Sequence, residues 1–238
     1  VESGELQTGV VAIENSIDGS VTDVLDYFIH QARTVRVCGE LVIPINQCVF
    51  TRPGTALDDV RVVISHPKGL GQCARNIHAM FPNAQQVGAE STAAAVSKML
   101  AAEVCAVAIA GKSAGHPDAI ILRENFQDAQ NNSTRFWVVG RHSAQPTGKD
   151  KTSLVFETYK NAPGALLVVL GIFASRGLNL AKIESRPTKE VMGQYVFLAD
   201  VEAHEKDPSL KDALEMVRAC TPRCQVFGSY PRWQNGRG

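Results

Sequence analysis

The sequence predicts an α/β protein with two successive domains, and three observations lead to this fold class. From residue 8 to residue 110, short apolar runs alternate with helical segments, which is typical of a parallel sheet with helices on both faces. Residues 140–151 are polar, contain Pro and Gly and lack apolar periodicity, as in a linker. After this linker the elements follow the order βαββαβ, which is the ferredoxin-like arrangement.

The first element is a short β-branched run, Thr8–Ile13, which suits a buried parallel strand. A polar loop follows and ends at Ser20, the expected N-cap of a helix. Backbone N–H groups and the helix dipole attract anions at such a position, although a capped loop without a ligand has the same pattern. The helix is predicted from apolar residues at helical spacing: Val21, Val24, Leu25, Phe28 and Ile29.

Further apolar runs predict the remaining strands of the first domain, with helices between them. The first helix follows His66-Pro67, and Glu90-Ser91-Thr92 caps the second. Ligands in such folds lie beyond the carboxyl ends of the strands, so the polar residues found there are candidate site residues. The predicted strands are Val35–Ile45, Arg61–Ser65, Ala84–Gly88 and Val104–Ala110.

The second domain begins with a strand, Thr152–Tyr159. Its first helix is predicted to have Asn161 as N-cap and Pro163 in the first turn, and to close at Gly177. Asp207-Pro208 opens the second helix. The other predicted strands are Asn179–Thr188, Gln194–Ala203 and Gln225–Tyr230.

A dense polar cluster stands just before the linker. Asn131-Asn132-Ser133-Thr134-Arg135 combines two amides, two hydroxyls and a guanidinium, and leads into the apolar run that starts at Phe136. Many α/β proteins form a ligand site from polar groups at the mouth of a strand. Asn-Asn-Ser is also common in turns, so this pattern alone leaves both interpretations open.

Composition excludes several classes of function. The chain has 24 Lys and Arg against 24 Asp and Glu, so it lacks the charge excess typical of proteins that bind nucleic acid or anionic membranes. No apolar run approaches the length of a membrane-spanning helix. The six cysteines are scattered without the paired spacing of a zinc site, which predicts no bound metal and a reducing, cytoplasmic location.

Six short segments, taken in order, carry a resemblance to one known family. With their order and spacing, the chain resembles the prephenate dehydratase family of bacterial type, in which an ACT regulatory domain follows the catalytic domain. The segments are Gly9–Ser20, Ser65-His66-Pro67 with Gln72-Cys73, Glu90-Ser91-Thr92, Thr134-Arg135-Phe136, Gly164-Ala165-Leu166 and Glu184-Ser185-Arg186-Pro187.

The chain departs from the family pattern at three places. The family has a glycine-rich strand, loop and helix ahead of the first motif, and we expect this opening segment to be missing here. Lys68 stands where Gln is common, and Gly111 stands where Ser is common.

The resemblance implies two α/β lobes around a cleft, as in periplasmic binding proteins, followed by the ferredoxin-like ACT domain. The catalytic domain is expected at residues 1–145 and the ACT domain at residues 151–231. Crossovers between the lobes are expected at Glu40–Asn46 and Ala110–Ala114. Lobe one would then contain residues 1–45 and 115–145, and lobe two residues 46–114.

The resemblance also implies the reaction, in which prephenate loses carbon dioxide and water without a cofactor or metal. Thr134 takes the catalytic role, as a donor to the leaving hydroxyl group. Arg135 is expected to orient a substrate carboxylate, although a structural ion pair would also explain an arginine there. The remaining expected substrate-binding residues are Glu14, Asn15, Ser16, Gly19, Ser20, Gln72, Ser133 and Phe136.

For the ACT domain, the resemblance implies that phenylalanine binds as an allosteric effector between two subunits of a homodimer or homotetramer. Gly164 would expose backbone N–H groups to the carboxylate of the amino acid, and Glu184 would pair with its ammonium group. The other expected phenylalanine-binding residues are Asn161, Ala165, Leu166, Ser185, Arg186 and Pro187.

Three alternatives remain open from the sequence. The first is an arogenate dehydratase, with the same chemistry on the amino-acid form of the substrate. The second is a phenylalanine sensor without catalytic activity. The third is a small-molecule binding protein on the same two-lobed fold, which would not need Thr134.

Overall fold

The structure, a computed structural model, describes residues 1–159, 162–189 and 191–234. Its strands are β1 Thr8–Asn15, β2 Gly19–Ser20, β3 Arg36–Pro44, β4 Gln47–Thr51, β5 Val62–Ser65, β6 Gln85–Gly88, β7 Ala106–Gly111, β8 Ile120–Arg123, β9 Ser133–Gly140, β10 Asp150–Glu157, β11 Leu180–Pro187, β12 Tyr195–Val201 and β13 Cys224–Pro231. Its α-helices are α1 Thr22–His30, α2 Pro67–Gln72, α3 Ala74–Met80, α4 Thr92–Ala101, α5 Ala165–Ala174 and α6 Pro208–Cys220.

The chain divides into two compact units. Unit 1 combines Val1–Ile43 with Thr134–Gly238, and unit 2 is Pro44–Ser133. The first division falls inside the predicted crossover, Glu40–Asn46. The predicted second crossover, Ala110–Ala114, is wrong, because the chain continues from there into β8, which pairs with β4 in the sheet of unit 2.

Unit 2 contains a sheet of five strands in the order β6-β5-β7-β4-β8. Strand β5 runs parallel to β6 and β7, as the alternating pattern predicts, whereas β4 runs antiparallel to β7 and β8. The helix predicted after His66-Pro67 is divided at Cys73 into α2 and α3. Helix α4 starts as predicted, with the Ser91 hydroxyl group accepting a hydrogen bond from the backbone N–H of Ala94 at 3.0 Å.

Unit 1 contains two sheets of four strands, which we call the N-terminal sheet, β2-β1-β9-β3, and the C-terminal sheet, β11-β12-β10-β13. The predicted parallel character of the first strand is wrong, because β1 runs antiparallel to both β2 and β9. In the C-terminal sheet, β12 runs antiparallel to β10 and β11, and β13 runs antiparallel to β10. With α5 and α6, this sheet confirms the βαββαβ order.

The two faces of the C-terminal sheet pack against different layers. Alternate residues of β10 point to opposite faces. Leu154 and Phe156 pack in a core with residues of α5 and α6. Val155 joins a second core with Trp137 of β9 and Phe28 of α1. The N-terminal and C-terminal sheets of unit 1 therefore share a hydrophobic core.

A glycine allows the backbones of the two sheets to approach closely. A Cβ atom added at Gly228, on β13, would overlap the backbone carbonyl oxygen of Val37, on β3. Glycine without a side chain is the residue that permits such an approach. Gly228 therefore marks a point of close backbone contact between the two sheets.

Two helix starts differ from the sequence prediction. The N-cap of α1 is Val21, without a side-chain cap, and the Ser20 hydroxyl group instead donates a hydrogen bond to Glu184 at 2.5 Å. Helix α5 begins at Ala165, after Gly164 with φ +84°, while the predicted cap Asn161 lies outside the described residues. None of the helices in the described part of the chain combines the length and apolar character needed to cross a membrane.

Candidate functional site

The candidate site is built around one hydrogen bond between β1 and β9. Asn15 and Thr134 are register partners in this antiparallel pair, and Asn15 Nδ2 donates a hydrogen bond to Thr134 Oγ1 at 3.0 Å. The orientation of the Asn15 amide is fixed, because its Oδ1 accepts hydrogen bonds from the backbone N–H groups of Ile17 at 2.9 Å and Asp18 at 3.0 Å. Since the Thr134 hydroxyl group accepts from Asn15, its own proton can be donated to a reacting group.

The backbone around Asn15 explains how this residue reaches Thr134. The register between β1 and β9 shifts between Ala12 and Glu14, so β1 is irregular at this point. Irregularities of this kind redirect side chains and recur beside active sites. Beyond Asn15 the chain turns back through Gly19, whose φ of +80° favours glycine, and Ser16 lies exposed in this turn. The predicted residues Asn15, Ser16, Gly19 and Thr134 are thus brought together.

Phe136 and Thr134 lie on the same face of β9, because residues two apart in a strand point the same way. Phe136 is half-buried and is paired in register with Ala12. Its predicted contact with substrate stays a prediction.

Arg135 points to the other face of β9 and contacts protein carboxylates. Its guanidinium group bonds to Glu40 at 2.7 Å, to Asp200 at 2.5 Å and to the Tyr230 hydroxyl group at 3.0 Å. Glu14 lies 3.6 Å away on the same side. Its donors are directed at buried protein groups and its side chain is only 12% exposed, which agrees with the structural ion pair that the sequence left open as an alternative. A contact of Arg135 with a substrate carboxylate stays a prediction.

Lys151 completes the buried network around Arg135. Its ammonium group lies 3.0 Å from Glu40, which also accepts a hydrogen bond from the backbone N–H of Trp233 at 2.9 Å. Burial alone would raise the pKa of Glu40, but Arg135, Lys151 and the backbone bond outweigh it and hold the pKa below its ordinary value. Burial raises the pKa of Tyr230 well above its ordinary value, so this hydroxyl group stays neutral.

Two other predicted substrate-binding residues, Glu14 and Ser20, contact β11. Lys182 Nζ lies 3.0 Å from Glu14 and donates a hydrogen bond to Ser20 Oγ at 2.9 Å. Ser20 in turn donates to Glu184. Both residues are thus bound to the C-terminal sheet, and their predicted contacts with substrate stay predictions.

Gln72 and Ser133 belong to unit 2. Gln72 is the last residue of α2, and its Oε1 accepts a hydrogen bond from Gln47 Nε2 at 3.4 Å. Ser133 is half-buried at the first position of β9. Their predicted contacts with substrate stay predictions.

The predicted effector motifs have distinct environments. Gly164 takes a left-handed conformation and begins α5 without a side-chain cap, and Ala165 and Leu166 form the first turn. On β11, Arg186 bonds to Asp26 at 2.7 Å and to Glu184 at 3.2 Å.

Alternation along β11 separates the last four predicted effector-binding residues. Ser185 and Pro187 are exposed, whereas Glu184 and Arg186 face the N-terminal sheet side. The Glu184 carboxylate contacts Ser20, Lys182 and Arg186, and its predicted contact with an effector ammonium group stays a prediction.

Sequence reasoning missed four members of the Arg135 network: Glu40, Lys151, Asp200 and Tyr230. A signal was available for Asp200, which is a charged residue within the apolar run of β12 and is 1% exposed. A buried charge normally requires a partner, and Arg135 supplies it. The identity of that partner depends on tertiary contacts between residues 65 positions apart.

Comparison with protein families gives two matches along the chain. Residues 1–144 match the family described as prephenate dehydratase. Residues 152–218 match the ACT domain. The boundary between the two matches coincides with the polar linker of the sequence.

A curated relative, the bifunctional chorismate mutase/prephenate dehydratase of Aquifex aeolicus (strain VF5), is 38% identical to the chain over 233 residues. The match covers 98% of this chain and 63% of the relative. The chain thus spans about 63% of the length of the curated relatives with which it shares this similarity.

Two solved structures share the fold. A prephenate dehydratase from Arthrobacter aurescens in complex with L-Phe is 35% identical, with a TM-score of 0.86 over 98% of this chain and 77% of that one. GqqA, described as a novel type of quorum quenching acylase, is 30% identical, with a TM-score of 0.83 over 100% of this chain and 86% of that one.

Proposed function

The chain belongs to the prephenate dehydratase family and carries an ACT domain, and from this we propose that it converts prephenate to phenylpyruvate with release of carbon dioxide and water. One observation supports this proposal above the others. The Thr134 hydroxyl group is held by the Asn15 amide and keeps its own proton for donation.

The chemistry of prephenate explains why one hydrogen-bond donor, held at the departing hydroxyl group, is enough to assist the reaction. Prephenate is a non-aromatic ring with a hydroxyl group opposite a ring carboxylate. The carbon–carboxylate bond breaks as carbon dioxide leaves, its electron pair completes the aromatic ring, and hydroxide departs from the opposite carbon. Hydroxide takes up a proton to become water. Thr134 donates a hydrogen bond to that oxygen as negative charge develops on it, and such donors typically contribute about 10²–10⁴-fold in rate.

The same hydrogen bond favours dehydration over acyl transfer, which is the reaction class named for one structural neighbour. A threonine nucleophile requires a base that removes its proton. Asn15 presents an amide N–H group to Thr134, and an amide donor cannot act as that base. The geometry supports Thr134 as a proton donor.

Steady-state formation of phenylpyruvate from prephenate tests the proposal. We expect Thr134→Ala to lower kcat by about 10²–10⁴-fold and Thr134→Ser to retain much of it, because serine keeps the hydroxyl group. Thr8→Ala is the matched control, since Thr8 lies at the opposite end of the same β1–β9 pair. Arogenate is assayed in parallel to decide between the two substrates. Full activity of Thr134→Ala would contradict the assignment of Thr134.

We further infer that phenylalanine binds the ACT domain between two copies of this chain. Gly164 and the uncapped start of α5 offer backbone N–H groups to a carboxylate. Beside this start, Leu167 is 70% exposed and Val168 is 57% exposed. Large apolar side chains exposed together on one helix favour a protein interface. Ser185 and Pro187 of the second motif are exposed on β11, where an effector can reach them.

We also propose a cytoplasmic location. All six cysteines are free thiols in the structure, and thiols persist in a reducing compartment.

A further inference from the structure

The residue next to Thr134 connects the candidate active site to the ACT sheet. Thr134 and Arg135 are consecutive on β9, so their side chains lie on opposite faces. Thr134 meets Asn15 on one face, and Arg135 meets Glu40, Asp200 and Tyr230 on the other. Because both side chains leave the same short stretch of backbone, a displacement of one displaces the other.

We propose that Arg135 is a positioning residue, and that Asp200 and Tyr230 act through it to hold the Thr134 hydroxyl group against the Asn15 amide. This inference rests on the proposed function, in which Thr134 is the donor to the leaving group. It makes the ACT sheet a structural part of the catalytic site.

The network has the properties of a rigid support. It pairs two cations, Arg135 and Lys151, with two carboxylates, Glu40 and Asp200. Glu14, 3.6 Å from Arg135, has a cation of its own in Lys182 at 3.0 Å. The side chains of Glu40 and Asp200 are almost fully buried, at 2% and 1% exposure. A buried polar network in which each member is bonded fixes one arrangement, because any alternative leaves a charge without a partner.

The planar guanidinium group gives this support its direction. Nε of Arg135 is directed at Glu40, Nη1 at Asp200 and Nη2 at Tyr230, so three bonds fix the plane of the group. Lysine carries the same charge but cannot reproduce a planar arrangement of donors. The position of the β9 backbone at Thr134 is therefore set by residues from β3, β12 and β13.

The ACT side of the contact is itself supported. Ser153 on β10 donates a hydrogen bond to Asp200 Oδ1 and shares another with the Tyr230 hydroxyl group. Asp200 thus keeps one carboxylate oxygen for Ser153 and one for Arg135. The Tyr230 hydroxyl group joins Ser153 to Arg135 in the same way.

Tyr230→Phe is the sharpest test, because it removes one hydroxyl group and keeps the buried ring. Thr221→Val is the matched control for lost stability. Thr221 is also buried in the ACT domain, and its hydroxyl group donates a hydrogen bond to the Val217 carbonyl at 2.6 Å, away from the Arg135 network. We expect Tyr230→Phe to lower kcat for prephenate by about 10- to 100-fold with KM nearly unchanged, since small displacements of a catalytic group cost rate. Thr221→Val should keep the native kcat when each variant is assayed at the same number of degrees below its own Tm. Equal kcat values in the two variants would overturn the inference.

A double-mutant cycle shows whether Tyr230 acts through Thr134. In the Thr134→Ala background, Tyr230→Phe should cause no further loss of kcat, because the positioned hydroxyl group is already absent. A further loss of kcat as large as the loss that Tyr230→Phe causes in the native protein would overturn the inference. Arg135→Lys should resemble Tyr230→Phe, and full kcat in Arg135→Lys would also overturn it. If Thr134→Ala itself is fully active, the proposed function of Thr134 fails instead.

Hydrogen–deuterium exchange supplies a readout that needs no activity. The backbone amides of β9 near Thr134 should exchange faster in Tyr230→Phe than in Thr221→Val, when the two are compared at equal global stability. Equal exchange would overturn the positioning role even if the protein proved inactive on prephenate. Faster exchange together with no prephenate activity would support the positioning role and reject the proposed reaction.

Discussion

At the scale of the residue, the alternation of a strand separates two roles that adjoin in sequence. Thr134 faces Asn15, and Arg135 faces the carboxylates of Glu40 and Asp200. The sequence predicts the cluster that contains both residues, and the family resemblance singles out Thr134. The sequence alone does not predict that Arg135 is bound to protein carboxylates, because these partners lie far along the chain. An exposed arginine would have the same local sequence.

The buried carboxylate of Glu40 predicts a pH dependence of stability. Its folded-state pKa lies below the ordinary value of 4.5, so the unfolded chain takes up the proton first as the pH falls. The stabilisation is present above pH 4.5 and is lost as the pH falls through the folded-state pKa. Glu40→Gln should therefore lower the free energy of unfolding by about 3 to 5 kcal/mol at pH 7, where it leaves buried cations without a partner.

Urea unfolding of both proteins between pH 7 and pH 3 measures this effect. The difference in free energy between the native protein and Glu40→Gln should narrow toward acid pH. Glu124→Gln serves as control, because the Glu124 pair with Lys112 is exposed and should contribute little. A difference that stays constant over this range would show that ionised Glu40 is not the stabilising form.

At the scale of the element, sequence patterns located most strands but did not determine their pairing. An apolar run such as Thr8–Ile13 fits a buried strand of either direction, and β1 proved antiparallel. Strand β4 escaped prediction, because its ends are the polar residues Gln47 and Thr51, whose burial depends on tertiary contacts. Ser20 has the chemistry of an N-cap, yet a charged partner on β11 binds its hydroxyl group instead.

The close approach of β13 to β3 gives a prediction at this scale. Gly228→Ala should lower the free energy of unfolding by about 1 to 3 kcal/mol or more, because the added methyl group overlaps the Val37 carbonyl and forces the strands apart. Thermal unfolding measures the change. Gly88→Ala is the matched control on β6, where an added Cβ meets nothing within 4 Å and should change stability little. Equal Tm values for the two variants would contradict a tight contact between β13 and β3.

At the scale of the whole molecule, the linker in the sequence does not separate two independent cores. Residues 1–144 and 152–218 match different families, yet Trp137 and Phe28 pack in the same core as Phe227 of β13. The polar linker predicts a boundary between domains, and the two family matches lie on either side of residues 145–151. Composition and periodicity carry no information on which faces of two domains meet, so this shared core was not predictable.

We predict that phenylalanine binding depends on the formation of a dimer of this chain. Phenylalanine at 100 times its Kd should stabilise the native protein by about 2.7 kcal/mol, seen as a rise in Tm. Leu167→Glu places a charge on the exposed face of α5, so it should prevent dimer formation and reduce the rise. Light scattering reports the mass, and isothermal titration reports the affinity for phenylalanine.

Leu57→Glu is the control for this experiment, because Leu57 is also exposed but belongs to unit 2. It should leave both mass and affinity unchanged. A Leu167→Glu protein that keeps the native mass and affinity would contradict binding between two copies.

If phenylalanine inhibits by lowering the affinity for substrate, reciprocal linkage requires that prephenate and phenylalanine each weaken the binding of the other.

The glycine at position 228 has a consequence for protein engineering. A regulatory domain grafted from another protein must seat its last strand against the Val37 backbone, and any side chain at the matching position would prevent that seating. The graft must also bring an acid and a phenol to the Arg135 guanidinium group. Chimeras chosen only for their effector preference should therefore fail to assemble unless these three positions are carried over with them.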